Sequence, residues 1–187
     1  MSDGCGFATS HGNDLARKIQ ELKAATNSEQ VNIVGHSKRG LDAREYLDNL
    51  GTNDVANLIM IGTPNAGSLL AYSNNYCAPA VYDIRPGSDA TEAPENNNTN
   101  HYTIAGDWNP SLMHNCPPVD NLFGIDWPQL QANGFTELGK PSDGFVTINN
   151  VESLNYSISL GHTTNCHTHL LGESEYNLTK TILMPEQ

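Results

Sequence analysis

At 187 residues the chain is long enough for one domain with a substantial core and too short for two comfortable ones. Its 21 acidic against 9 basic residues leave a net charge of −12, so no basic stripe exists to displace counterions from nucleic acid or to grip anionic headgroups, and nucleic acid is not an expected partner. The longest apolar run, residues 56–62, is strand-sized, which excludes stable membrane insertion through a helical span.

The opening residues, MSDGCGFATSHG, lack the basic and apolar regions of a signal peptide. The location expected is therefore cytoplasmic, or secreted if a leader has been removed. Cys5, Cys77, Cys116 and Cys166 are an even number, compatible with two disulfides or with free thiols. A first helix is predicted at about residues 13–25, capped by Asn13, with Leu15, Ile19 and Leu22 at spacings of four and three. "VNIV" then reads as a short buried strand, followed by a helix over 38–50 whose Leu41, Leu47 and Leu50 face a sheet, with Gly51 as its stop.

"ANLIMIG" is the next strand and leads into "TPNAGS". Helix, strand, helix, strand in this order predicts right-handed crossovers, a mostly parallel sheet and the α/β class. Residues 88–100, "SDATEAPENNNTN", read as a polar surface excursion, and "HYTIAGDW" as a further strand. A partly apolar, proline-containing excursion over 109–138 follows. The remainder reads as a loop entering a short element at "SDGFVTINNVES", another loop, and a terminal helix containing Leu178, Ile182 and Leu183.

The stretch Val31–Arg44, VNIVGHSKRGLDAR, carries the chemistry. A nucleophilic serine needs its hydroxyl lifted clear of the backbone, a base beside it, and amide donors aimed at the oxyanion it creates. A strand ending directly in a helix at Ser37 supplies the corner, and the N–H of Lys38 supplies one donor. For the acid, Asp143 in "PSDGFVTI" is best placed, because Gly144 permits a tight turn; an Asx turn alone is the competing reading. Asp107 and Asp120 are rivals. His114, His162, His167 and His169 follow Asp107 as candidate bases, while His36 is expected to pack near the site and point away from the serine hydroxyl. His162, Cys166, His167 and His169 in "HTTNCHTH" also raise a zinc or copper reading, but their spacing fits no usual module, so no metal and no cofactor is expected.

With "VGHS", "GLDAR", "GTPNAGS" and the "DG" before Phe145 and Val146, the chain resembles the bacterial lipase and esterase branch of the α/β-hydrolase superfamily from about Val31 onward. The resemblance implies a single reduced α/β-hydrolase domain over 1–187, in which 72–138 includes cap-like insertions around one core strand. It implies His167 as base, since that family's histidine loop reads much like "H-T-x-L-L". The implied reaction is cleavage of a carboxylic ester or lipid by Ser37, His167 and Asp143 through an acyl-enzyme, with Leu112, Met113, Leu122, Phe123, Ile125 and Trp127 as a possible acyl pocket. Arg39 departs from the family pattern, which has glycine there; Gly40 is kept, and Arg39 is expected to lie outward over the surface. The strand and loop that carry the second oxyanion amide in such lipases are expected to lie before residue 1. The expectations are a reduced activity with the second donor near Gly4 or Gly6, and a homo-oligomer covering the exposed sheet edge. The alternative is a catalytically weak or inactive binding or scaffold protein on the same architecture.

Overall fold

The computed structural model describes residues 5–50, 53–72, 78–94, 98–109, 138 and 141–184. Four strands, β1 (Val31–His36), β2 (Val55–Ile61), β3 (Asn100–Gly106) and β4 (Ser157–Thr163), form one sheet in the order β1-β2-β3-β4. Every neighbouring pair is parallel. The class and sheet direction are those expected from the alternation of helices and strands.

Helices cover both faces, because β2 is apolar on both. Leu58 and Met60 pack with Ile19 of α1 (Ala8–Thr26) and Ala43, Tyr46 and Leu47 of α2 (Lys38–Asn49). Ile59 and Ile61 point the other way and join Ile104, Leu170 and the partly buried Leu178, Ile182 and Leu183 of the C-terminal helix (Glu173–Leu183). Alternate residues of one strand thus join two cores, the pattern of a parallel sheet buried on both sides. Among the described residues there are also three one- or two-turn α-helices, α3 (Ala78–Asp83), α4 (Asp89–Glu92) and α5 (Ile148–Val151). The C-terminal helix is α6.

Several elements differ from the sequence expectation. α1 starts at Ala8, not Asn13. No side chain at its N-cap bonds the first turn; instead the Ala8 N–H donates to Asp83 Oδ2 (2.7 Å), 75 residues away. A carboxylate at a helix start is favourable wherever it comes from in the chain. Leu22 and Leu50 are exposed rather than core residues, while Tyr46, one turn before Leu50, is in the core. Gly51, the expected stop of α2, lies outside the described residues. The excursion after Ser88 is not wholly surface. Ser88 caps α4, Ala90, Thr91 and Ala93 are buried, and the buried Arg44 guanidinium donates to the carbonyls of Thr91 and Ala93 (3.1 and 2.7 Å).

The sequence pattern marks no strand at β4. Among the described residues it is an edge strand bonded to β3 alone, and its serines and Gly161, set at a register shift, dilute the apolar pattern that marks a buried strand. β1 is the other edge. Its outer side has no strand partner among the described residues, and Val34 there is 44% exposed.

Candidate active site

The carboxyl ends of the four strands carry the site. Ser37 sits between β1 and α2 with φ 55° and ψ −135°, an uncommon conformation for a residue with a side chain. Its N–H donates to the Ile61 carbonyl (2.9 Å), which pins the corner to β2. Gly35 and Gly40 make the turn possible. A Cβ on Gly35 would stand 2.9 Å from the Gly40 backbone, and a Cβ on Gly40 would stand 2.1 Å from Thr63 Oγ1.

That geometry resolves the departure at Arg39. The close approach of helix to strand falls on Gly40, so residue 39 is free to carry a side chain. Arg39 Nη1 lies 2.7 Å from Asp42 Oδ2 and 2.9 Å from His11 Nδ1, and its side chain is 31% exposed. It therefore folds back over α2 toward α1 instead of lying freely over the surface. Asp42 itself is fully buried and also meets Lys38 Nζ (2.5 Å), which lies 3.0 Å from Asp83 Oδ2. Two cations thus face two carboxylates under the first turn of α2, the compensation a buried carboxylate requires.

The remaining chain returns two residues to Ser37. His167 Nε2 lies 2.7 Å from Ser37 Oγ, and its Nδ1 lies 2.7 Å from Asp143 Oδ2. Asp143 is fully buried, and its other oxygen accepts from the Phe145 and Val146 amides (2.8 and 2.7 Å). The Asx turn and the contact to His167 are therefore not competing readings; each uses one carboxylate oxygen. An ionised carboxylate only accepts, so Nδ1 carries the hydrogen and Nε2 is left as the acceptor for the serine hydroxyl. The Phe145 ring stacks on His167 with centroids 4.8 Å apart.

His36 packs and hydrogen-bonds beside the site. Its Nε2 bonds the His167 carbonyl (2.8 Å), and burial, followed by the neighbouring His167, lowers its pKa to about 4. The other candidates stand elsewhere. His162 is on the exposed face of β4, paired with Glu152 (2.8 Å); His169 Nδ1 lies against Cys166 Sγ and Thr168 Oγ1; Asp107 is exposed at the end of β3.

Asp120, His114, Cys77, Cys116 and the expected acyl-pocket residues Leu112, Met113, Leu122, Phe123, Ile125 and Trp127 lie outside the described residues. Cys5 and Cys166 are disulfide-bonded, which takes the Cys166 thiolate out of any metal-ligand set. Among the described residues no group of three His, Cys, Asp or Glu is placed to hold a metal.

One supporting residue escaped the sequence reading. Glu175, buried on α6, accepts from Thr163 Oγ1 (2.5 Å), Asn165 Nδ2 (2.8 Å) and the Gly172 N–H (3.0 Å), and so ties both ends of the histidine turn together. The spacing Gly172-x-x-Glu175, that of a capping box, is the signal that could have found it.

No family model matches the sequence. Two curated triacylglycerol lipases, from Pseudarthrobacter phenanthrenivorans and Burkholderia plantarii, are each 38% identical over 60 residues, which is 32% of this chain. Those matches span only 18% and 16% of the two lipases. The mature form of a Bacillus licheniformis lipase, BlEst2, superposes with a TM-score of 0.71 at 26% identity, over 96% of this chain and 74% of its own. The chain has the α/β-hydrolase fold of bacterial lipases and esterases, as its motifs implied.

Proposed function

We propose that the chain is a serine hydrolase of carboxylic esters, lipids among them. The observation that carries this reading is the continuous relay Ser37 Oγ, His167 Nε2, His167 Nδ1, Asp143 Oδ2, with 2.7 Å at each of its two hydrogen bonds. Ser37 attacks the ester carbonyl while His167 takes its proton. Asp143 holds the imidazole in the required tautomer and balances the imidazolium without itself being protonated. His167 returns the proton to the departing alcohol, leaving an acyl group on Ser37. Water, deprotonated by the same imidazole, then releases the acid.

The oxyanion is assigned to the Lys38 N–H at the first turn of α2, where the helix dipole favours negative charge. A second donor is assigned to the segment around Gly6; Gly4, the other candidate, lies outside the described residues. Support for this comes from the chain of contacts Lys38 Nζ, Asp83 Oδ2 and Ala8 N, which ties the start of α1 to the nucleophile corner.

Hydrolysis of p-nitrophenyl butyrate and p-nitrophenyl palmitate tests the reading. Turnover is expected in the parent chain, and Ser37→Ala, like His167→Ala, is expected to lower kcat by about 10⁴-fold or more. Turnover that survives Ser37→Ala would remove Ser37 from the mechanism. A folded parent chain without turnover would leave a binding or scaffold protein on the same architecture.

A further inference from the structure

His167 is held twice on each side. Toward the acid, its N–H donates to the Asp143 carbonyl (3.0 Å) while its ring meets Asp143 Oδ2 (2.7 Å). Toward the nucleophile, its ring meets Ser37 Oγ (2.7 Å) while its carbonyl meets His36 Nε2 (2.8 Å). Two consecutive residues of the strand-to-helix corner thus bond one residue of the histidine turn, Ser37 through the side chain and His36 through the main chain.

A carbonyl oxygen only accepts, so the hydrogen on His36 resides on Nε2 and its tautomer is fixed. Burial and the neighbouring His167 keep that ring neutral above a pKa of about 4. Neutrality matters for the reaction. The His36 and His167 rings are 5.0 Å apart, and a charged His36 would oppose the imidazolium that forms on His167 during proton transfer.

We propose that His36 is a positioning residue, whose Nε2–H bond to the His167 carbonyl locks the histidine turn against the nucleophile corner and sets the Ser37 to His167 distance. The inference rests on the reading of Ser37 and His167 as nucleophile and base. Proton transfer requires heavy atoms within hydrogen-bond reach, and a misplacement of about 1 Å costs about 100-fold in rate. His36 does not itself bond the serine hydroxyl, so its loss acts on turnover rather than on ester binding.

The test uses the full chain carrying His36→Gln, His36→Phe or His36→Ala, with thermal melting to select the variants that fold. Gln places an N–H donor near the same carbonyl; Phe fills the volume without one. In p-nitrophenyl butyrate hydrolysis, His36→Phe and His36→Ala are expected to lose about 10- to 100-fold in kcat with KM within about twofold of the parent. The rate at which a fluorophosphonate labels Ser37 is expected to fall in parallel, and His36→Gln to recover most of both. Equal kcat in parent and His36→Phe, or equal losses in the Phe and Gln variants, would overturn the inference while a labelled parent leaves the triad reading intact. A parent chain that takes up no label at Ser37 would overturn both.

Discussion

Ser37 concentrates the cost of the site in one residue. A non-glycine side chain at φ 55° and ψ −135° stores about 1–3 kcal/mol of backbone strain, and the surrounding bonds hold it there, from the Ile61 carbonyl on one side to the His167 ring on the other. Ser37→Gly is therefore expected to raise the melting temperature while abolishing ester turnover, as measured by calorimetry beside the p-nitrophenyl assay. A lower melting temperature would mean that the hydroxyl's bonds outweigh the strain. At this scale Ser37, Asp143 and His167 each sit in a short local pattern, and the fold brings Ser37 and Asp143 each within hydrogen-bond reach of His167. Arg39 was less legible, because its partners His11 and Asp42 belong to different helices and only the packed structure puts them around one guanidinium.

The histidine turn, residues 164–172 between β4 and α6, is the element on which the relay depends. It has little regular structure of its own, so it is held from outside: by Glu175, by the His36 bond, and by the disulfide at Cys166, the residue immediately before His167. Loss of a native disulfide from a small domain costs about 2–5 kcal/mol. Treatment with dithiothreitol followed by alkylation is expected to lower both the melting temperature and ester turnover, whereas unchanged turnover would show that the turn stands without the bridge. Disulfide-bonded Cys5 and Cys166 also fit an oxidising compartment. The elements that the local pattern does not reveal share one cause. α1 begins where a distant carboxylate caps it, α4 is drawn in by a buried arginine, and β4 is a polar edge strand, so each is decided by a partner far along the chain. β1, β2, β3 and α2 carry their own apolar pattern and were legible to within two residues at their strand and helix starts.

Across the described residues the layers hold neutral imidazoles, His101 buried and His36 half-buried, beside apolar side chains. His101, packed edge-on to Tyr156, and His36 both have pKa values lowered from 6.5 to about 4, chiefly by burial. Between those two pH values the unfolded chain binds protons that the folded chain refuses. Stability from these groups is complete above pH 6.5 and is lost as pH falls through the window. Melting temperature is expected to drop steadily from pH 6.5 to 4, and to drop less in His101→Gln; a flat profile would show that neither ring is held neutral. The claim on which all of this turns is that Ser37 is an activated nucleophile, and peptide-mapped mass spectrometry after fluorophosphonate treatment tests it most directly. One phosphonyl adduct, on Ser37 and absent in His167→Ala, is the predicted result; an unmodified Ser37 in the folded parent chain, or an adduct at another serine, would contradict it.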